Sequence, residues 1–273
     1  MNISMLKIIW AFIKRDIFHH ASYRLSFVLQ FFNIFPVVLM FFFLSGLVDQ
    51  SLVSGPLTAY GGKYFPFVLI GIAFQNYLSL AMTNFSASIR DSQLSGTLET
   101  VLATPVSLPT FLIGSTAYSF ICNSLRILVY VGFGAFFCEF AFSLIQIPVI
   151  LVIIILTIAA FSSLGIFSAS FILLFKKGDP VNWLFSVLSW LLGGVYYPVS
   201  ILPGWLQKVA AMIPMTHSLE AFRLCLLGGC EVSQIAHHLW ALLAWALIGL
   251  PVSFFCFRFA LNRSRKLGTL GQY

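Results

Sequence analysis

The stretch that decides the fold is FAFSLIQIPVILVIIILTIAAFSSLGIFSASFILLF, residues 140–175, which contains no Asp, Glu, Lys or Arg. A helix needs about 20 predominantly apolar residues to cross the roughly 30 Å hydrocarbon core of a bilayer. Strands of a membrane barrel would instead show about ten residues of alternating polarity. The stretch therefore predicts a transmembrane α-helix.

Five other parts of the chain have the same long apolar character. Charged residues make up 8% of the sequence and hydrophobic residues 60%, whereas soluble domains carry about 25% charged residues. We therefore expect an all-α membrane protein whose single transmembrane domain occupies residues 1–273. Its six transmembrane helices are expected at about 25–48, 65–89, 107–138, 142–175, 181–197 and 236–259.

The N-terminal segment has helical periodicity with charge on one side. Its apolar residues fall on one face, and Lys7 and Lys14 are turned away from that face. This pattern predicts an amphipathic helix at about 3–22 that lies in the membrane interface; the alternative is that the segment is the start of the first span. Because charges interrupt the apolar run and no small-residue cleavage site follows, we do not expect a cleavable signal peptide. The apolar face consists of Leu6, Ile9, Trp10, Ile13 and Ile17.

The distribution of basic residues predicts the topology. Lys and Arg concentrate in the cytoplasmic loops of membrane proteins. With six spans, the side that holds both termini collects most of the lysines and arginines, and the other side collects only Lys63, Lys208 and Arg223. We therefore expect a multi-pass protein of the cell (inner or plasma) membrane with both termini cytoplasmic. The net charge of +7 is a topology signal, and we expect no nucleic-acid partner.

The segment between the second and third spans is polar and bracketed by helix breakers. Thr97 can cap a short helix that begins at Gly96, with Glu99 in the first turn, where the helix dipole favours an anion. Pro105 pushes Thr104 out of the helical region and so ends this helix. The sequence predicts a short cytoplasmic helix here.

The segment between the fifth and sixth spans predicts two short helices on the outer side. They are separated by Pro214, and they are too short to span the membrane and too apolar for an ordinary loop. We therefore expect a re-entrant helical hairpin of two amphipathic helices, shielded by protein. Glu220 and Arg223 are expected to pair across one helical turn. Cys225 and Cys230 lie on the same predicted side, and both a disulfide between them and two buried thiols remain open.

The sequence lacks the motifs of common catalytic and nucleotide-binding sites. It contains neither G-x-x-x-x-G-K-[ST] nor H-E-x-x-H, and its adjacent histidine pairs are expected at membrane interfaces rather than on a metal. We expect no catalytic residue, no metal site and no cofactor bound by this chain. Arg126 lies at depth in the third span. For it, contact with an anionic substrate, a conformational latch, a shifted helix boundary and snorkelling to the interface all remain open.

Two stretches of the sequence resemble signatures of a known family. One reads Gly-Thr-Leu-Glu…Thr-Pro, starting at Gly96, and the other reads Tyr-Pro…Leu-Pro-Gly-Trp-Leu…Pro-Met-Thr-His…Glu…Arg, starting at Tyr197. In this order, with six spans and an amphipathic N-terminal helix, they resemble the membrane subunit of type-2 ATP-binding-cassette exporters. Met215 and His217 stand where that family often has Leu and Tyr.

The resemblance implies a permease subunit that forms half of a membrane unit with a second copy or a relative. A separate cytoplasmic ABC ATPase subunit, in two copies, would bind ATP and Mg²⁺. The ATPase-coupling helix would contain Gly96, Thr97, Leu98, Glu99, Val101, Leu102, Thr104 and Pro105. The outer gate would contain Pro198, Pro203, Trp205, Pro214, Thr216, Glu220 and Arg223.

Two other classes of function compete with an ATP-driven exporter. An ion-coupled secondary transporter or channel would act without an ATPase, but the predicted spans lack the carboxylate pairs that such carriers often use. An intramembrane enzyme would need a nucleophile and a base at matching depths, and the sequence offers no such pair. The exporter is the leading hypothesis and the ion-coupled transporter is the alternative. Membrane lipid surrounds either one, and the substrate stays open.

Overall fold

A computed structural model describes residues 5–22, 25, 29, 32–48, 55–94, 96, 104, 107–138, 146–175, 179–229 and 232–266. These residues form α-helices, short 3₁₀ helices and turns, and they include no strand. The α-helices are α1 (Met5–Ser22), α2 (Ile34–Leu47), α3 (Tyr64–Leu94), α4 (Leu108–Cys138), α5 (Ile147–Phe175), α6 (Pro180–Leu192), α7 (Gly204–Ala210), α8 (Pro214–Leu226) and α9 (Val232–Lys266).

Four of the described helices are long and apolar enough to cross a bilayer. They are the segments Tyr64–Ser92, Pro109–Gly134, Ile147–Phe175 and Ser233–Lys266. Two shorter apolar helices, α2 and α6, fall within the first and fifth predicted spans. The chain is therefore an all-helical, multi-pass membrane protein, and the count of six crossings stays a prediction.

Helix α6 is shorter than the span predicted at 181–197. It begins where the Asp179 side chain accepts a hydrogen bond from the Asn182 main-chain N–H at 3.0 Å, with Pro180 as its first residue. It ends at Leu192 after 13 residues, or about 20 Å. Gly194 then has φ of 75°, a left-handed conformation that glycine adopts without strain. This break turns the following main chain away from the helix axis.

Two glycines allow the helices around α5 to approach closely. A Cβ at Gly165 would lie 2.6 Å from the Phe85 ring on α3. A Cβ at Gly249 on α9 would lie 2.6 Å from the Ser163 hydroxyl oxygen on α5. Small residues at such contacts let helix backbones pack tightly, which is a main source of helix association in a bilayer. Helices α3 and α9 therefore both pack closely against α5.

Helix α1 is attached to the start of α4 through one aromatic residue. The Phe12 ring packs against the Phe111 ring with centroids 6.1 Å apart and covers Gly114, where a Cβ would lie 2.7 Å from Phe12 Cδ2. On the predicted apolar face, Leu6 and Trp10 stay exposed. Apolar side chains of α1 therefore point away from the rest of the protein, as an interfacial helix requires. The interfacial location itself stays a prediction.

Candidate functional site

A cavity of about 340 Å³ lies between α2, α3 and α4. Arg126 is the only charged residue among the described residues that line it. It lies inside the apolar segment Pro109–Gly134, about 12 Å from the nearer end of that segment at 1.5 Å per residue. The lining consists of Asn33, Ile34, Val37, Ala73, Asn76, Tyr77, Ser79, Leu80, Asn123, Arg126 and Tyr130.

Polar residues of the cavity lie on the facing helices α3 and α4, and their spacing along α4 places them on one face. On α4, Asn123, Arg126 and Tyr130 are separated by three and four residues, so they share one face. The facing residue Asn76 of α3 donates a hydrogen bond from Nδ2 to the Tyr130 hydroxyl at 3.3 Å. The sequence interpretation found Arg126 but missed Asn76 and Asn123. The signal was available, because asparagines are expensive in apolar helices unless they face a polar site.

The end of the molecule that is predicted to lie outside is held together by Arg223 on α8. This side chain is 0% exposed. It donates hydrogen bonds from Nη1 to the Gly194 carbonyl at 2.7 Å and from Nη2 to the Val195 carbonyl at 3.0 Å. Nη2 and Nε also donate to the Phe67 carbonyl, at 2.9 and 3.2 Å. One guanidinium therefore joins α8, the start of α3 and the turn after α6, and we call this set of contacts the Arg223 lock.

The lock depends on close backbone approach and on an aromatic face. The Arg223 guanidinium carbon lies 3.5 Å from the centroid of the Phe67 ring, a cation–π contact that is strong when water is excluded. At Gly71, a Cβ would overlap the Val195 carbonyl oxygen and lie 2.7 Å from Arg223 Nη2. Only glycine at position 71 therefore leaves room for the hydrogen bonds to the turn.

The expected ion pair between Glu220 and Arg223 is wrong. These two described side chains form no salt bridge with each other. Arg223 donates hydrogen bonds to main-chain carbonyls, and Glu220 Oε2 accepts a hydrogen bond from the Tyr60 hydroxyl at 2.5 Å. Burial raises the pKa of Tyr60, and the adjacent Glu220 carboxylate raises it further, so the phenol stays protonated and donates. The partly buried Glu220 is held by Tyr60, and the fully buried Arg223 has five N–H donors to satisfy, which the three main-chain carbonyls accept.

The remaining residues of the predicted outer gate divide between a buried and an exposed part. Pro214 and Thr216 are buried on α8, and Pro198 is buried at the turn after α6. Pro203 precedes α7, and Trp205 on α7 is 69% exposed. Helix α8 is buried on most sides because it packs against α3, α5, α6 and α9, and the re-entrant hairpin itself stays a prediction.

Three histidines meet beside α8 at this same end. His217 Nε2 lies 2.8 Å from the Ala211 carbonyl, so that nitrogen carries the proton. His217 Nδ1, 3.0 Å from His238 Nδ1, is then the acceptor. The His237 ring lies 5.9 Å from the His217 ring, centroid to centroid. Burial lowers the pKa of His217, which favours this neutral arrangement. No group of three metal-binding side chains suited to an ion occurs among the described residues.

Asp179 organises the opposite end of the helix bundle. Its carboxylate accepts hydrogen bonds from the Ser168 hydroxyl at 2.5 Å and from the Ser86 hydroxyl at 3.0 Å, and the two hydroxyls are 3.0 Å apart. Helices α3, α5 and α6 are thereby linked. No local pattern in the sequence pairs Asp179 with serines that are 11 and 93 residues away.

The predicted ATPase-coupling helix is described at only two positions. Gly96 has φ of 66°, a left-handed conformation that glycine adopts without strain, and Thr104 is exposed. Nearby, α1, α3 and α4 enclose a groove of about 450 Å³ that includes Asp16 and Asp91. At the start of α4, the Ser107 hydroxyl accepts from the Thr110 N–H at 3.4 Å. Outside the described residues lie Thr97, Leu98, Glu99, Val101, Leu102, Pro105 and Cys230.

Comparison with known families identifies the chain. The family model described as ABC-2 type transporter matches residues 7–227, a region that includes α2–α8 and almost all of α1. No curated protein matches the chain. The family is that of a transport component without a nucleotide-binding domain of its own, in agreement with the missing phosphate-binding loop. The chain belongs to the ABC-2 type transporter family, as a membrane permease of an ABC transporter.

Proposed function

We propose that this chain is the permease subunit of an ATP-driven exporter. The observation that carries the proposal is the family match over residues 7–227. Two copies, or one copy and a relative, form the substrate path, and a separate cytoplasmic ATPase in two copies binds ATP and Mg²⁺. The chain crosses the cell membrane six times, with both termini cytoplasmic.

The proposed connection to the ATPase is the segment from Gly96 to Pro105. Leu98, Val101 and Leu102 supply the apolar anchor that enters a groove on the ATPase. The contact of Phe12 with Phe111 supports this arrangement, since it attaches α1 to the helix that follows the coupling segment. ATP binding drives transport by favouring one arrangement of the ATPase pair over another, and the coupling segment transmits that preference to α3 and α4.

The proposed outer gate is the hairpin of α7 and α8. The Arg223 lock supports a rigid α8, because four hydrogen bonds to main-chain carbonyls hold it. Helix α7 is the exposed partner, with Trp205 at its surface and Met212 exposed in the turn that follows it. The part of the hairpin that moves during transport is therefore α7, and α8 is the base against which it moves.

The test of this function is a double substitution in the coupling segment, Leu98→Ala with Glu99→Ala. Removing the anchor and the charge in the first turn is expected to uncouple transport from ATP hydrolysis. In vesicles reconstituted with the permease and its ATPase, the transport per ATP hydrolysed should fall about tenfold, which corresponds to about 1.4 kcal/mol of lost coupling free energy. Membrane insertion should not change.

A leucine on the surface of α9 provides the control for this test. Leu247 is 66% exposed, so Leu247→Ala should leave the transport per ATP unchanged. Unchanged coupling in the double variant would refute the role of the segment. If the purified chain moved solute without nucleotide or ATPase, the ion-coupled alternative would replace the exporter.

A further inference from the structure

We infer that the cavity between α2, α3 and α4 binds the anionic, phosphate-like head of an amphiphilic substrate, with Arg126 as its charged contact. The inference rests on the proposed exporter function and names the class of substrate for it. Arginine inside an apolar helix is costly and is expected to face a functional cavity. The position of Arg126 on the wall of this cavity meets that expectation.

The charge of the cavity selects an anion. Arg126 carries a permanent positive charge, and the described lining of the cavity contains no carboxylate. Attraction between opposite charges is several times stronger in the low dielectric of a membrane interior than in water. An anionic group that enters the cavity therefore gains more from Arg126 than a neutral or zwitterionic group does.

The hydrogen-bond donors of the cavity match a group with several oxygens. Asn33, Asn76 and Asn123 enter from three different helices, and each side-chain amide offers two N–H donors beside the guanidinium fork. Since Asn76 donates to the Tyr130 hydroxyl, the hydroxyl proton of Tyr130 can point into the cavity. A phosphate-like head can accept from all of these groups, whereas a carboxylate has only two oxygens to offer.

The surroundings of the cavity favour an amphiphile over a free anion. Its volume of about 340 Å³ falls in the usual range for a small-molecule site, about 300–1,000 Å³, and Ile34, Val37 and Leu80 form apolar walls. The cavity is partly open, so an apolar chain attached to the head can leave it along these walls. A free anion would lose its hydration without such compensation.

The experiment measures binding of two fluorescent lipids with the same chains, a phosphatidic acid and a phosphatidylcholine. The permease is purified in detergent with its ATPase, and binding is followed by fluorescence polarisation without nucleotide. We expect the phosphatidic acid to bind about tenfold more tightly. Arg126→Gln should remove this preference, and Arg126→Lys should keep part of it. Asn76→Leu should weaken binding of the phosphatidic acid while the charge remains.

The controls separate the possible sources of binding. Arg258 is exposed on α9, so Arg258→Gln should bind both lipids as the unmodified protein does. Octyl phosphate should displace the phosphatidic acid at much lower concentration than inorganic phosphate, and equal potency would overturn the amphiphile in favour of a free anion. Equal binding of the two lipids, or a preference that survives Arg126→Gln and Asn76→Leu, would overturn the site.

A failure of the anionic-substrate inference can be told apart from a failure of the proposed exporter function. Lipid binding is measured without ATP, and coupling is measured separately by the Leu98→Ala, Glu99→Ala variant. A protein with ATP-coupled transport and no lipid preference would refute only the anionic substrate. Should Arg126→Gln not fold, Arg126→Lys and Asn76→Leu still decide the question, because each alters the donors of the cavity and keeps a positive charge.

Discussion

Two arginines lie inside this membrane protein, and the structure treats them differently. Arg223 is completely buried and directs its hydrogen bonds to the carbonyls of Phe67, Gly194 and Val195. Arg126 is partly buried and lines a cavity with asparagines and tyrosines. The first binds the chain to itself and the second faces a space that can be filled. What a buried charge contacts, and not its depth, therefore indicates its role.

We expect the same contrast in how the two regions respond during transport. The Arg223 lock joins three parts of the chain at one point, so that region should resist rearrangement. The cavity of Arg126 lies between α2, α3 and α4, and small tilts of these helices would change its width. An alternating-access transporter needs both kinds of region, because a rigid element must remain while others move around it. The predictions below test this assignment.

The largest effect on stability is expected from Arg223→Met. The substitution leaves three buried carbonyl groups without this hydrogen-bond donor, and each unsatisfied group costs about 1–3 kcal/mol, which gives at least about 3 kcal/mol for the three together. We expect a loss of that size in the free energy of unfolding, measured in detergent by denaturant titration and circular dichroism. Arg258→Met, at an exposed position, should change it by less than about 0.5 kcal/mol. Equal stability of the two variants would contradict the lock.

A smaller loss is expected from Gly71→Ala. The added methyl group meets the Val195 carbonyl and Arg223 Nη2, and relieving such an overlap costs about 1–3 kcal/mol. Gly132→Ala on α4 is the matched control, because a Cβ there has nothing within 4 Å. That control should gain about 0.5–1 kcal/mol from helix propensity. The opposite order of the two variants in the same unfolding assay would show that close approach at Gly71 is not required.

The smallest effect on stability is expected from Arg126→Gln. Its side chain is partly buried and lines a cavity, so we expect the free energy of unfolding to change by about 0.5 kcal/mol or less. Transport by the reconstituted complex should nevertheless fall about tenfold, the size expected when a hydrogen bond to a charged group is lost. If Arg126→Gln lost as much stability as Arg223→Met, Arg126 would have a structural role. The proposed difference between the two arginines would then be wrong.

The sequence predicted the membrane class and the family because both depend on local patterns. Runs without charge, such as 147–175 inside the predicted span 142–175, give a helix of membrane length wherever they occur. The third span, predicted to begin at about 107, and the breaker Pro214 placed the starts of α4 and α8 correctly. The family followed from two short motifs in order. None of these predictions required knowledge of which helices are neighbours.

The sequence did not predict the partners of the polar side chains. Glu220 and Arg223 share a helix turn, so pairing was the local expectation, yet Tyr60 and the turn after α6 provide closer partners. In the same way, Asp179 binds serines of two other helices. Which partner a polar side chain binds depends on distances between residues far apart in the chain. The periodicity of the sequence contains no information about these distances.

The sequence by itself determined that this chain lies in a membrane as a set of apolar helices, belongs to an ABC transporter family and carries no nucleotide-binding loop. Hydrophobicity and short motifs suffice for that, because the bilayer imposes helical structure on any long apolar segment. Only the tertiary structure decided which arginine is a lock and which lines a cavity. The reason is that desolvation makes every buried polar group depend on its neighbours, and neighbours are set by packing.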